Sequence, residues 1–357
     1  AEPTAPSSTA AAPTIATAEL LGQVRSTVES WAVQQGRPSG SVSVLLRGGD
    51  SVSLNLAGLA GNEPVGRLGE TSRLYVVAVT LIVADCAVPG ARNCPLPVAE
   101  GALQLDDPIS RWLPGSPVGD RTIRQLLTGT SGIMYVAPNI DHLREVMLLS
   151  PASDWSRDAL LDVAMTEPVR FAAGAYRDPV DTESLLLERI LELATGRTSS
   201  EWVDAGYLRH LGLHGTAVVG DTSLTVAPGR AGAGSLDDLP PALLTALGNT
   251  GGMAGSSTDL ARSAAATWAS SVIVEPASVA LAADSANGHL HPFGGNGVCP
   301  CDASSHSIIK ATGHAVAWSS LAAYDFVAQA AIGLVAPADI SDAALDDLLA
   351  QLEAVLR

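Results

Sequence analysis

The chain has a single lysine, Lys310, among 20 basic residues set against 37 acidic ones. A nucleophilic serine needs an adjacent base to take its proton, and a lysine one helical turn away is one arrangement that supplies it. Only one serine stands three residues before it, Ser307. That pair falls where the sequence reads as a strand, and i and i+3 point to opposite faces there. The net charge of −17 repels phosphate backbones and anionic lipid, which argues against a nucleic-acid partner. Aromatic residues make up only 4%, so small aliphatics must fill the interior. No apolar run reaches the roughly 18–20 residues that span a bilayer. No G-x-S-x-G string occurs.

Cysteines are also few: Cys86, Cys94, Cys299 and Cys301. An even number around a Pro/Gly-rich insert reads as disulfides formed in an oxidising compartment. Cys86–Cys94 closes a short loop and is the favoured pair, with cross-pairing to Cys299 or Cys301 as the alternative. The C-x-C spacing argues against a four-thiolate zinc site, and no metal or other cofactor is expected. Residues 1–17 are rich in Ala, Pro, Ser and Thr and read as a flexible linker, of the kind that follows a removed export signal or a lipid anchor. The expected location is extracytoplasmic, with the linker as a candidate membrane tether.

What is present is well punctuated. Leu20, Leu21, Val24, Val28 and Trp31 mark one face of a helix over 17–35. Alternation over 41–46 and 51–57, joined by Arg47-Gly48-Gly49-Asp50, predicts a β-hairpin. The nearly unbroken apolar run 74–88 suits a buried element. Helices are predicted over 183–195, 200–211 and 258–269, and strands over 305–312, 318–324 and 326–335. Ser341 caps a last helix whose stripe is Leu345, Leu348, Leu349, Leu352 and Leu356.

The organising stretch is 101–133, GALQLDDPISRWLPGSPVGDRTIRQLLTGTSGI. Asp107 and Thr122 are helix-capping residues, Pro108 suits a first turn, and Gly129 and Gly132 end the second helix. The string resembles a signature of the serine β-lactamase and penicillin-binding family, in its class C, D-Ala-D-Ala carboxypeptidase and esterase branch. The family's His is Gly129 here. The resemblance implies an α/β (α+β) fold, with an antiparallel sheet flanked by N- and C-terminal helices and an inserted helical part. The implied division is 18–100 and 270–357 for the sheet-containing part and 101–269 for the helical part, with the active site in the seam. It also favours a helix for the apolar run.

The family's chemistry needs a serine and a lysine in S-x-x-K opening a buried helix, a Y-x-N motif, and K/H-T-G on a strand. Matching "F-r-i-a-S-v-T-K" to LYVVAVTL puts Ala78 at the serine and Leu81 at the lysine. Pro179 and Asp181 fall at the Tyr and Asn, and Ala311 at the basic residue, with Thr312 and Gly313 retained. Ser131, Lys310 and His314 are the remaining candidate cleft-lining residues, although Lys310 sits one residue early, which turns a strand side chain to the other face. His289 and His291 lack an obvious third metal ligand. With all five chemical positions changed, the expectation is an inactive envelope protein that binds a peptide, a cell-wall fragment or another envelope protein. A hydrolase (esterase or amidase) with a relocated catalytic set, or a structural envelope protein, are the alternatives.

Overall fold

The computed structural model describes residues 15–36, 38–56, 63–135, 149, 155–226, 246–269, 273, 275–284, 288–289, 308–315 and 318–357. Cys299, Cys301, His291, Ser307 and residues 1–14 of the expected linker lie outside the described residues.

Both chain ends build one antiparallel sheet. Its strands are β1 (Ser41–Leu45), β2 (Ser51–Asn55), β6 (Gly288–His289), β7 (Ile308–Ala315), β8 (Trp318–Asp325) and β9 (Ala330–Ala336), in the order β2-β1-β9-β8-β7-β6. The hairpin turn uses Gly48 and Gly49 at positive φ, which glycine adopts without a Cβ penalty. The strand expected over 326–335 begins later, at Ala330. Asp325 accepts the N–H groups of Val327 and Ala328 through its side chain, and Gln329 turns at φ 51°. A carboxylate that captures two backbone donors makes a turn in preference to a strand.

One face of the sheet is covered by α1 (Ile15–Gln34) and the C-terminal α9 (Asp342–Leu356). The indole N–H of Trp31 donates to Ala344 O at 3.0 Å and ties these helices together. The other face carries the larger core. Two central helices pack there, α2 (Arg73–Cys86) and α7 (Ser257–Trp268). A Cβ on Gly333 would lie 2.0 Å from Ser257 O, so this glycine lets α7 rest directly on β9. The apolar run is therefore a helix. It is apolar on all sides because it is buried on all sides.

The helical part contains α3 (Ile123–Thr128), α4 (Arg157–Thr166), α5 (Asp181–Thr195), α6 (Ser199–Val203) and α8 (Pro276–Asp284). A small sheet of β3 (Gly66–Arg67), β4 (Thr216–Ala217) and β5 (Ala254–Gly255) closes the seam. Thr122 and Gln125 form a reciprocal capping box on α3, and Gly129 ends it at φ 69°. Asp107 caps no α-helix. Pro108 is extended there and is followed by a single 3₁₀ turn, Ile109–Arg111.

Cys86 and Cys94 are joined, with Cα atoms 5.8 Å apart and a sequence separation of 8. Closing so short a loop stabilises by about 2–3 kcal/mol in the chain-entropy description. The Cys94→Ser variant is expected to lose that amount in denaturant unfolding, and reductant should bring the wild type to the same midpoint. An unchanged midpoint would mean that the bond closes an already ordered loop.

Candidate active site

The site is fixed by a turn. Gly69–Ser72 forms a single 3₁₀ turn immediately before α2. It lies against β7 and β8 with almost no space between backbones. A Cβ on Gly313 would sit 2.1 Å from Leu68 O, and one on Gly69 would sit 2.9 Å from His314 C. Ser320 donates to Leu68 O at 2.7 Å, and Thr71 Oγ1 donates to Ala311 O at 3.4 Å. Thr312-Gly313 is thus where the strand must be smooth for the turn to approach.

At this contact Glu70 reaches across. Its Oε2 accepts the backbone N–H of His314 at 2.7 Å. One turn further on is Arg73, buried at the start of α2. Its guanidinium donates to Ser184 Oγ at 2.6 Å, Leu126 O at 2.9 Å and Leu127 O at 3.0 Å, and lies 3.6 Å from Glu183. It therefore caps the C-terminal end of α3, where carbonyls lack helical partners. Burial pulls this guanidinium below its ordinary range, while Glu183 and Asp181 oppose the shift.

Asp181 opens α5. The residue as a whole is exposed to solvent, while its carboxyl group lies low among its neighbours. Burial and the negative charge of Glu70 push it up to about 6, against the pull of Arg73. Behind it Glu183 is fully buried and accepts from Ser131 Oγ at 2.5 Å and Val180 N at 3.2 Å. Burial raises the Glu183 carboxyl, opposed first by Arg73.

The residues expected at the site separate into two groups. Asp181, Pro179, Ala311 and Gly313 border the turn or its neighbours. Ala78 and Leu81 do not; both are fully buried in the core, one and two helical turns inside α2. An S-x-x-K pair opens its helix, and this helix opens at Arg73. The positions one turn apart at that opening are Glu70 and Arg73, in the run Arg67-Leu68-Gly69-Glu70-Thr71-Ser72-Arg73. Sequence reasoning missed them because Val79-Thr80 matched the motif by type. The readable signal was the place where the apolar run begins, at Leu74.

Three further candidates face away from the cleft or into the core. Lys310 pairs with Asp346 and His314 Nε2 lies 3.2 Å from Asp342, both on α9. They lie on the opposite face of β7 from Ala311, as the strand's two-residue period requires. Ser131 is fully buried on Glu183. His314 does contribute to the site, through its backbone. Ser319 Oγ lies 3.4 Å from His314 Nδ1, but it is buried, donates to Ala338 O and accepts from Ile340 N, so it is a structural hydroxyl. Gly129 and Pro179 lie in contact. A Cβ on Gly129 would be 2.8 Å from Pro179 Cα, leaving no room for histidine. Among the described residues no group of three or more His, Cys, Asp or Glu is placed to hold a metal ion.

The family model described as Beta-lactamase matches residues 97–339, and the chain belongs to that family. The match begins after the turn and helix that carry Glu70 and Arg73. Esterase EstB of Burkholderia gladioli is 28% identical over 198 residues, which is 51% of this chain and 47% of the esterase. The matched region thus spans about half the length of that relative. A D-stereospecific amidohydrolase from Streptomyces sp. superposes with a TM-score of 0.69 at 22% identity, covering 93% of this chain and 98% of its own. A class C beta-lactamase superposes at 0.70 and 16%, covering 97% and 99%. These comparisons overturn the expectation that the chain is not an enzyme: the family and the named relatives are hydrolases. That expectation rested on five changed positions, Ala78, Leu81, Pro179, Asp181 and Ala311, and the first two lie inside α2, whose opening carries Glu70 and Arg73 instead.

Proposed function

We propose that this protein hydrolyses an ester or amide with a carboxyl pair, Glu70 and Asp181, standing where its relatives carry other groups. The observation that carries the reading is Glu70 Oε2 on the His314 N–H at the turn before α2, with Asp181 at the start of α5 close enough to feel the Glu70 charge. A carboxyl held near pH 6 takes and returns a proton at little cost near neutrality. The ionised carboxylate removes a proton from water as the water oxygen bonds to the substrate carbonyl carbon. The tetrahedral adduct then expels the alcohol or amine, which takes the proton back from the carboxyl. The His314 N–H is the donor for the developing oxyanion once Glu70 exchanges it for the substrate oxygen. The names of the relatives, esterase and amidohydrolase, support the reaction class. The Cys86–Cys94 bond supports an oxidising, extracytoplasmic setting.

The test is turnover of p-nitrophenyl esters and amino-acid p-nitroanilides. The rate is expected to rise with pH through about 6, following ionisation of Asp181. Intact mass during turnover should show no acyl adduct, because water is the nucleophile. No turnover on either class, or an acyl adduct on a serine, overturns the reading.

A further inference from the structure

We propose that two copies of this chain pair through the outer strand β2, so that the sheet of one molecule continues into the next. The sheet has two edges, β2 and β6. An edge strand presents unpaired backbone donors and acceptors, and proteins ordinarily blunt it. The β6 edge is blunted by its length of only two residues, Gly288–His289. The β2 edge carries none of the usual devices. Its five residues, Ser51-Val52-Ser53-Leu54-Asn55, include no charge and no proline, and they pair with β1 in unbroken register without a bulge.

The hydrogen bonds between β1 and β2 show which backbone groups remain for a partner. Leu46 N–H donates to Asp50 O at 2.8 Å, and Leu56 N–H donates to Gly40 O at 2.7 Å. In an antiparallel pair such bonded positions alternate with positions whose N–H and C=O point away from the neighbouring strand. Val52 faces Val44 and Leu54 faces Val42, so the bonded positions on this strand are 50, 52, 54 and 56. Ser51 and Ser53 therefore turn their backbone groups outward, and both residues are exposed. A second β2 running antiparallel sets Ser51 of each copy against Ser53 of the other. Each of these pairs exchanges N–H and C=O in both directions.

The surface beside the strand fits the same partner. Between α1 and β2 runs a groove of about 320 Å³, whose walls include Arg25, Glu29, Ala32, Val33, Leu54 and Leu56. Val33 is 56% exposed there. Arg25 and Glu29 are exposed one helical turn apart, and their charges are opposite. A two-fold axis through the strand pair reverses this row, so Arg25 of each copy comes opposite Glu29 of the other. An unrelated extended peptide would have to supply a cation, an anion and apolar contacts at matching places. A second copy supplies all of them by symmetry. The net charge of −17 on each chain opposes association at long range, but physiological salt screens it beyond about 8 Å. The contact itself adds no net charge, because Arg25 and Glu29 are the charged residues of the groove.

The experiment is sedimentation velocity with light scattering on the full chain, at physiological ionic strength and over a range of protein concentrations. A monomer–dimer equilibrium in the micromolar range is expected, as suits a small interface. Glu29→Arg sets like charges against each other across the axis and should raise the dimer Kd at least about tenfold. Adding Arg25→Glu exchanges the two charges and should restore the dimer. Ser53→Pro removes an N–H that β1 does not use, and should also raise the Kd at least about tenfold. The Ser53 hydroxyl meets Ser43 and Thr258 on the other side. Ser53→Ala loses that hydroxyl but keeps the N–H, so it should remain a dimer, and the melting temperatures of both variants report on the fold. A monomer throughout the micromolar range overturns the proposal. A dimer that Glu29→Arg leaves unchanged puts the interface elsewhere and overturns it too. Dissociation by Ser53→Ala as complete as by Ser53→Pro overturns the backbone pairing.

Discussion

Asp181→Asn is expected to cut hydrolysis by about 10²–10⁴-fold, the usual loss for a positioned acid–base group, and to stabilise the protein at neutral pH. The two effects have one origin. Burial and Glu70 raise the folded-state value of Asp181 to about 6, above the roughly 3.9 of an unfolded chain. Between these values the folded state holds more protons than the unfolded state. The stabilising contribution is complete below the unfolded value and is lost as pH rises through the folded value. Asparagine stays neutral and removes that loss. Melting temperature against pH should therefore fall through pH 4–6 in the wild type and flatten in the variant, while kcat collapses. A variant that loses activity and stability together would make Asp181 a structural residue.

Glu188→Gln should be the most destabilising single substitution of a polar residue in the helical part, at about 3 kcal/mol in denaturant unfolding. Glu188 lies fully inside, on α5. One oxygen accepts Thr250 N–H at 3.1 Å and Thr250 Oγ1 at 3.0 Å. The other accepts Ser199 Oγ at 2.7 Å and Asn249 N–H and Nδ2 at 3.2 Å. Whichever oxygen becomes an amino group, a buried backbone N–H loses its acceptor and faces another donor. Hydroxyls can rotate to adapt, but backbone cannot. Each such orphan costs about 1–3 kcal/mol. Gly248 packs against this carboxyl at 2.9 Å from a would-be Cβ, so the segment cannot settle inward. A loss below about 1 kcal/mol would mean that the network tolerates one acceptor fewer.

The sequence announces what local chemistry determines alone. Thr122 and Ser341 each begin a helix through one side chain and Gly129 ends one through its permissive backbone, and each does so in the structure. The parity of β7 was equally readable, since a period of two sends Lys310 and Ala311 to opposite faces. Glu70 was not readable in this way. A glutamate on a turn has no local signature. Its meaning comes from the N–H of a residue 244 positions later. The Ala78 placement matched residue types inside a run that is uniformly apolar, where register carries no information. The turn at 326–329 stayed hidden because Phe326 and Val327 look like strand, and only the reach of Asp325 decides otherwise.

The sheet joins the two ends of the chain: Val42 in β1 pairs with Leu334 in β9. Its central strand thus waits for the last stretch to be made, and contacts of such sequence separation form late. During synthesis, Glu70 and Asp181 leave the ribosome long before His314 does. Until then the two carboxyls have no backbone donor opposite them, so a chain cut short before β7 would carry both acids and no site.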